Sequence, residues 1–266
     1  MAPRSANITV MVQAAQRAAR HLVRDFGEVE NLQVSIKGPG DFVSAADRRA
    51  EEILRRELGR ARPGFAFLLE ESGAIGKGDE DHRWIVDPLD GTTNFLHGLP
   101  HFAISIGLER RGEMVAGVVY DPVKDELFVA EKGAGAYLND RRIRVSGRAE
   151  LARSMIATGI PVLDWAGRDQ GYNDQLDRVA GEVAGIRRFG TASLDFAYVA
   201  AGRYEGFWEY GLWPWDMAAG IVLVREAGGL VGRLEGDHAL LERGTIVAGN
   251  PSIQPRLVEL LRRGSA

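Results

Sequence analysis

The sequence predicts a mixed α and β fold arranged as two lobes, and three observations support this prediction. Apolar residues recur at helical spacing near the N-terminus, short strand-like runs separated by turns fill residues 102–130, and strands alternate with helices beyond residue 145. The 266 residues suffice for one large domain or two lobes that share a core. We therefore expect an N-terminal α+β lobe over 1–145 and a C-terminal α/β lobe over 146–266, packed as one compact unit.

The individual elements follow from periodicity and from turn residues. Helices are expected at 7–25, from about Ser44 to Leu58, and near 172–184, 191–201, 215–227 and 252–263. Strands are expected at 65–69, at 84–86 with its end at Asp87, and near 104–108, 115–120, 127–130, 155–158, 187–189 and 245–248. Turns are expected at Arg111-Gly112, Asp121-Pro122 and Asn139-Asp140.

The composition excludes several classes of function. The chain has no cysteine, so disulfides, thiolate metal sites and cysteine nucleophiles are excluded. A net charge of -4 and a pI near 5.8 argue against broad, direct binding of nucleic acids. No stretch approaches the roughly 20 apolar residues of a membrane-spanning helix, and the N-terminus lacks a signal-peptide pattern. We therefore expect a cytoplasmic protein without a membrane partner.

The run from Asp87 to Thr92 carries the clearest chemical signal. Two carboxylates three residues apart, fixed by Pro88, follow an apolar strand and can be aimed at one point together with the Leu89 carbonyl. Oxygen ligands of this kind suit a hard cation such as Mg²⁺, which often bridges phosphate oxygens of a substrate. A helix that begins at Gly91-Thr92 would offer free N–H groups to that phosphate. The run therefore predicts a magnesium-dependent phosphatase.

Three further acidic groups are ambiguous when each is considered alone. Asp47 and Glu51 share one face at the start of a helix, residues 70–72 follow a buried strand, and Asp216 lies near a helix N-terminus. Each position also suits an ordinary loop or helix cap. The chain has no phosphate-binding lysine loop, no Gly-x-Ser-x-Gly motif and no His-Glu-x-x-His pair, and its five histidines are scattered. The chemical groups that cluster in this sequence are therefore carboxylates and backbone N–H donors.

These acidic motifs also resemble those of a known family. Their order and spacing, Asp41-x-Val-Ser-x-x-Asp47-x-x-x-Glu51, Glu70-Glu71-Ser72, Asp87-Pro-Leu-Asp90-Gly-Thr-Thr-Asn94 and Trp215-Asp216-Met-Ala-Ala-Gly220, resemble those of the inositol monophosphatases. This family consists of lithium-sensitive, Mg²⁺-dependent phosphatases, and its bacterial branch is the most similar. The resemblance covers nearly the whole chain. It implies a layered αβαβα sandwich of the sugar-phosphatase type, usually assembled as a homodimer.

The resemblance assigns the metal ligands to matching positions. Glu70, Asp87 and the Leu89 carbonyl would hold a first Mg²⁺ ion. Asp87, Asp90 and Asp216 would hold a second, and Glu70 would help with a third, weaker one. Two ions of this kind activate a water and neutralise the leaving oxygen of a phosphate monoester.

The remaining roles concern phosphate, water and the alcohol. Gly91 and Thr92 would bind the phosphate, while Asp47, Thr92 and Glu70 would position or activate the attacking water. Lys37 would support the metal site electrostatically. Residues matching the family's substrate contacts are Asp90, Gly91, Thr92, Arg187, Gly190, Thr191, Ala192, Glu209 and Asp216.

The substrate itself is open at this level. Relatives that share these motifs hydrolyse inositol monophosphates, fructose 1,6-bisphosphate, histidinol phosphate, 3′-phosphoadenosine 5′-phosphate or NADP, and Glu209 favours inositol monophosphate. Some bacterial relatives also act as antitermination partners of the transcription machinery. Such a role would need a basic surface, for which Arg55-Arg56 and Arg187-Arg188 are candidates.

Overall fold

The computed structural model describes residues 5–28, 34–38, 41–76, 81–160, 171–236, 240–242 and 244–263, with the backbone alone for 34–38 and 41–44. Its helices are α1 (Ala6–Phe26), α2 (Ala45–Ala61), α3 (Thr92–Leu96), α4 (Tyr172–Glu182), α5 (Ala192–Ala200), α6 (Pro214–Glu226) and α7 (Gln254–Arg262). Each of the expected helices is confirmed within a few residues at its ends. Within the described residues, no helix combines the length and apolar character needed to cross a membrane.

The strands form three sheets. They are β1 (Val34–Gly38), β2 (Asp41–Ser44), β3 (Ala66–Leu69), β4 (Gly73–Ile75), β5 (His82–Asp90), β6 (Ala103–Arg110), β7 (Glu113–Asp121), β8 (Glu126–Glu131), β9 (Gly135–Leu138), β10 (Arg141–Ile143), β11 (Met155–Thr158), β12 (Gly185–Arg187), β13 (Gly206–Leu212), β14 (Leu230–Arg233) and β15 (Gly244–Gly249). The large sheet has the order β10-β9-β8-β7-β6-β5-β3-β4, and the second sheet has the order β12-β11-β13-β15-β14, while β1 and β2 pair separately.

The helices and the two larger sheets stack in five layers. Helices α1 and α2 pack together and cover one face of the large sheet. Helices α5 and α6 lie between the two sheets, where α6 contacts β5 to β9 and α5 contacts β13 and β15. Helices α4 and α7 pack against each other over the outer face of the second sheet. The expected αβαβα sandwich is therefore confirmed.

Two expected strands have other bounds in the structure. The strand expected near 187–189 lies at Gly185–Arg187. The strand expected to end at Asp87 continues to Asp90, with a shift in its pairing to β6 between these two residues. Pro88 explains the shift, because a proline has no N–H to donate to a neighbouring strand. The sequence also missed β13, the central strand of the second sheet, because Glu209, Gly206 and Gly211 interrupt its apolar pattern.

Candidate active site

The Asp87 to Thr92 run lies at the end of β5 and is folded by its own short-range contacts. Asp87 is 2% exposed, and its Oδ1 accepts a hydrogen bond from the Leu89 amide at 2.9 Å. Gly91 follows with φ of 95°, a left-handed conformation that glycine adopts without strain, and α3 begins at the next residue. The irregular end of β5 thus presents Asp87 and Asp90 on one side of a tight turn.

Helix α2 fixes this turn and a neighbouring loop from one face. Asp47 is fully buried, and its Oδ1 lies 2.8 Å from the Thr92 hydroxyl, which is also 3.0 Å from the Leu89 carbonyl oxygen. One turn further along α2, Glu51 Oε2 accepts from the Glu71 amide at 2.8 Å. The shared helix face expected for Asp47 and Glu51 therefore connects two acidic segments that lie far apart in the sequence.

Glu70 comes to the acidic turn from a strand of the large sheet, and Asp216 comes to it from helix α6. Strand β3 runs parallel to β5 with Leu69 opposite Val86, so Glu70 follows beside Asp87, and the two carboxyl groups share a hydrogen bond. Asp216 lies in the first turn of α6, and its Oδ2 accepts from the Trp213 amide at 2.7 Å. These two acids therefore approach Asp87 from separate elements.

The electrostatics of this group show four carboxyl groups in a shared, poorly hydrated space. Burial, then the charges of Glu70, Asp90 and Asp216, raise the pKa of Asp87 well above its ordinary value. Burial and then Asp90 raise the pKa of Asp216 in the same way. Burial raises the pKa of Asp90 to about 6 against the opposing effect of hydrogen bonds from Ser193. Such a group is stabilised either by protons or by cations.

The donor set fits a hard divalent cation, although the side chains are not yet arranged around one. In the described part of the chain, no three acidic or histidine side chains already stand in the arrangement of a metal-binding group. Asp87 and Glu70 hydrogen-bond to each other, and Asp216 is held by the amide of Trp213. Small side-chain rotations would release these oxygens. Carboxylate oxygens without thiolate or imidazole partners suit Mg²⁺ better than zinc.

The segment from Gly190 to Ser193 lies directly behind the acidic turn. The Ser193 amide donates to Asp90 Oδ2 at 2.7 Å, and the Thr191 hydroxyl donates to the His101 carbonyl at 3.1 Å. Ala192, which begins α5, is buried. The segment expected to contact the substrate's hydroxyls is therefore followed directly by Ser193, whose amide holds a carboxylate of the candidate metal site in place.

Glu209 lies at the far side of this group, on β13. Burial and then the charge of Asp90 raise the pKa of Glu209 to about 8, and the positive charge of Arg188 acts against this rise. Asp90 and Glu209 are therefore close enough for their charges to interact.

The side chains of the neighbouring residues Arg187 and Arg188 lie near different parts of the protein. Arg187 donates to its own neighbour, the Ile186 carbonyl, at 2.9 Å, and its charge acts on Tyr204. The charge of Arg188 acts on Glu209 and on Tyr172. Of the two, the structure places Arg188 towards Glu209. Arg187 is the last residue of β12 and Arg188 follows it. Because successive residues of an extended chain face opposite sides, the side chains of the two arginines could have been separated from their positions alone.

Sequence reasoning did not assign functional roles to two buried polar residues. Asn94 donates from its side-chain amide to the carbonyl oxygens of His101 and Phe189, each at 2.8 Å, and so connects α3 with the segment before α5. Asp195 is 1% exposed, and burial followed by the charge of Glu209 raises its pKa well above the ordinary value. A charged residue within the otherwise apolar helix α5 was the available signal for Asp195. Lys37 lies outside the described side chains.

Known proteins resemble this chain over nearly its whole length. A profile of the inositol monophosphatase family matches residues 5–266. An inositol-1-monophosphatase of Mesorhizobium japonicum is 57% identical over 98% of this chain and 97% of its own length. The Nus factor SuhB of Pseudomonas aeruginosa is 46% identical over 96% of this chain and 98% of its own length. A crystal structure of the extragenic suppressor protein suhB from Bartonella henselae superposes with a TM-score of 0.94 at 59% identity, covering 98% of this chain and all of that one.

Proposed function

The chain belongs to the inositol monophosphatase family, and on that premise we propose that it hydrolyses a polyol phosphate monoester, with myo-inositol monophosphate as the preferred substrate. The observation that carries this proposal is the meeting of Glu70, Asp87, Asp90 and Asp216, whose mutual repulsion a divalent cation would relieve. Products would be inorganic phosphate and the free polyol.

The chain's own residues have distinct tasks in this reaction. Gly91 and Thr92 bind the phosphate at the start of α3. Asp47 fixes the Thr92 hydroxyl through the 2.8 Å contact, and together with Glu70 these residues orient the water that attacks phosphorus. The bond from phosphorus to the ester oxygen breaks, and the leaving alkoxide takes a proton. Positioning and charge neutralisation account for most of the catalysis in phosphoryl transfer.

Members of this family depend on metal ions, and we assign Mg²⁺ to this chain. Glu70, Asp87, Asp90, Asp216 and the Leu89 carbonyl would hold two ions, with a third bound more weakly near Glu70. When bound, they supply a water of lowered pKa and neutralise the charge of the leaving oxygen. Inhibition by lithium is expected on the same premise and is measured by adding LiCl to the phosphate-release assay.

The preferred alcohol is inferred from Glu209. A carboxylate that accepts hydrogen bonds from ring hydroxyls favours a polyol over an alcohol without them. The test is a phosphate-release panel with Mg²⁺ that compares myo-inositol 1-phosphate, fructose 1,6-bisphosphate, histidinol phosphate, 3′-phosphoadenosine 5′-phosphate and NADP. We expect the highest kcat/KM for inositol monophosphate. An inert inositol monophosphate beside rapid turnover of another compound would contradict this choice.

A second function is favoured by one specific finding, the 46% identity to a Nus factor. Binding to the transcription machinery would use an exposed basic surface. The candidates are Arg55 and Arg56 on α2 and the pair Arg187 and Arg188, of which Arg188 lies near Glu209. A pull-down with RNA polymerase and elongation factors, repeated with Arg55 and Arg56 changed to Ser, tests this role. No capture by the wild-type protein would leave the enzymatic function alone.

We propose that two copies of this chain associate through an exposed apolar surface close to the segment from Gly190 to Ser193. Leu99 is 53% exposed and Phe189 44% exposed, and the Phe189 ring lies 5.0 Å from that of His101, two residues after Leu99. Burial of this surface between two copies would remove it from water. Sedimentation is expected to give a homodimer for the wild type and a larger monomer fraction for Leu99→Glu. A cytoplasmic location remains a prediction from the sequence.

A further inference from the structure

We propose that Gly159 is a positioning residue that sets substrate specificity, because its missing side chain leaves the space in which the Glu209 carboxylate stands. This inference rests on the proposed function, in which Glu209 contacts the hydroxyls of a polyol. Gly159 lies beyond the end of β11 and has no role among the metal ligands or the phosphate contacts.

The parallel pairing of β11 and β13 brings the two residues together. Thr158 is paired with Trp208 in this register, so the next residues along the two strands are Gly159 and Glu209. Neighbouring residues of parallel strands extend their side chains to the same side of the sheet. A side chain at position 159 would therefore stand beside Glu209, on the face that Glu209 uses.

The space at Gly159 is occupied by the carboxyl group itself. A Cβ added to Gly159 would lie 1.7 Å from Glu209 Oε1, 1.9 Å from Cδ and 2.6 Å from Oε2, and these are the three nearest atoms. Ordinary van der Waals contact begins at 3.4 Å. The nearest oxygen would have to move by about 1.7 Å, which exceeds the tolerance of a hydrogen bond of normal length.

Replacing Gly159 by alanine would move the Glu209 side chain and not the backbone. Gly159 is not in the left-handed region, so an alanine is compatible with its main-chain conformation. The obstructing atoms are the far end of a flexible side chain, which can rotate away. The strand end is also held independently, since Thr158 Oγ1 lies 3.4 Å from the Tyr172 hydroxyl. An alanine at position 159 therefore displaces the carboxylate while the fold is retained.

The displacement of the Glu209 carboxylate should affect some substrates more than others. The charge of Asp90, a member of the acidic site, acts on Glu209, so the two residues are neighbours. Moving the Glu209 carboxylate removes an acceptor for the alcohol's hydroxyls but leaves the residues that bind phosphate. A substrate with several hydroxyls should lose affinity, and one without them should lose little.

The experiment compares Gly159→Ala with the wild type on two substrates, myo-inositol 1-phosphate and p-nitrophenyl phosphate, which has no polyol hydroxyls. At pH 9, above the pKa of Glu209, losing one hydrogen bond to this charged acceptor should lower the ratio of kcat/KM for inositol monophosphate to that for the aryl ester by roughly 10-fold to 100-fold. We expect the change mainly in KM for inositol monophosphate. Gly181→Ala, at an open position of α4 with no atom within 4 Å, is the control and should leave both rates unchanged.

A double variant separates positioning from a general structural effect. Once Glu209→Ala has removed the obstructing carboxylate, adding Gly159→Ala should change the ratio no further, because the two changes act on one contact. A Gly159→Ala ratio equal to that of the wild type, an equal loss on both substrates, or an additive double variant would overturn the inference. A wild-type protein that releases no phosphate from inositol monophosphate would show instead that the proposed function itself fails, and the inference with it.

Discussion

The acidic turn at the end of β5 and the Glu209 region on β13 are close enough for their charges to interact but are built differently. The turn consists of contiguous residues. Its main contacts are the hydrogen bond from the Leu89 amide to Asp87 and the hydrogen bond from the Thr92 hydroxyl to Asp47 of α2. The Glu209 region depends on strand register, on a glycine with no side chain and on a charge from another segment. Changing the charge of a single residue in the turn should therefore lower activity strongly. In the Glu209 region, activity should depend on the size of the neighbouring side chains.

The largest effect is expected from Asp90→Asn, which removes one charge of the acidic turn while keeping its size. Turnover of inositol monophosphate should fall by about 10³-fold or more, because a metal ligand and an interaction with the developing charge are weakened together. Phosphate release measures this loss. Relief of the repulsion with Asp216 should also raise the thermal stability of the metal-free protein. Full activity in a folded Asp90→Asn variant contradicts the assigned role.

An intermediate effect is expected from Thr92→Val, which removes the hydroxyl that contacts Asp47 and the Leu89 carbonyl. A lost hydrogen bond to a buried charged group corresponds to roughly 10-fold to 100-fold in kcat. Thr92→Ser, which keeps the hydroxyl, serves as the matched control and should retain most of the activity. Equal kinetics of the Val and Ser variants would show that the hydroxyl is not used.

The smallest effect concerns the Glu209 region and is a dependence of stability on pH. The pKa of Glu209 is raised from 4.5 to about 8, so the folded protein keeps a proton that the unfolded chain releases above pH 4.5. The stabilising contribution is full below 4.5 and is lost as the pH rises towards 8. Without metal, the melting temperature of Glu209→Gln should therefore decline less over this window than that of the wild type, by roughly a few degrees. If the melting temperatures of the two proteins changed equally with pH, the raised pKa of Glu209 would be contradicted.

The sequence predicted the acidic turn better than the Glu209 region, and the reason is physical. Pro88, Gly91 and the neighbouring acids act within a few residues, so their pattern is visible in the chain itself. Strand β13 was missed because Glu209 sits in a strand whose stability comes from pairing with β11 and β15. The relevance of Gly159 and the orientation of Arg188 depend on register, which composition does not show.

The same distinction applies to the layers of the fold. Helical periodicity located α1, since a repeating apolar pattern is local information. The order of the second sheet, with its parallel and antiparallel neighbours, could not be predicted from the pattern of single strands. The boundary near residue 145 between two lobes stays a prediction.

The most direct measurement is phosphate release from myo-inositol 1-phosphate by the wild-type protein as Mg²⁺ is added after treatment with EDTA. We expect no release in EDTA, a saturable rise with added Mg²⁺, and no comparable rise for Asp90→Asn. Unchanged hydrolysis by the wild type in EDTA would contradict the central claim that the carboxylates around Asp87 bind the catalytic metal ions.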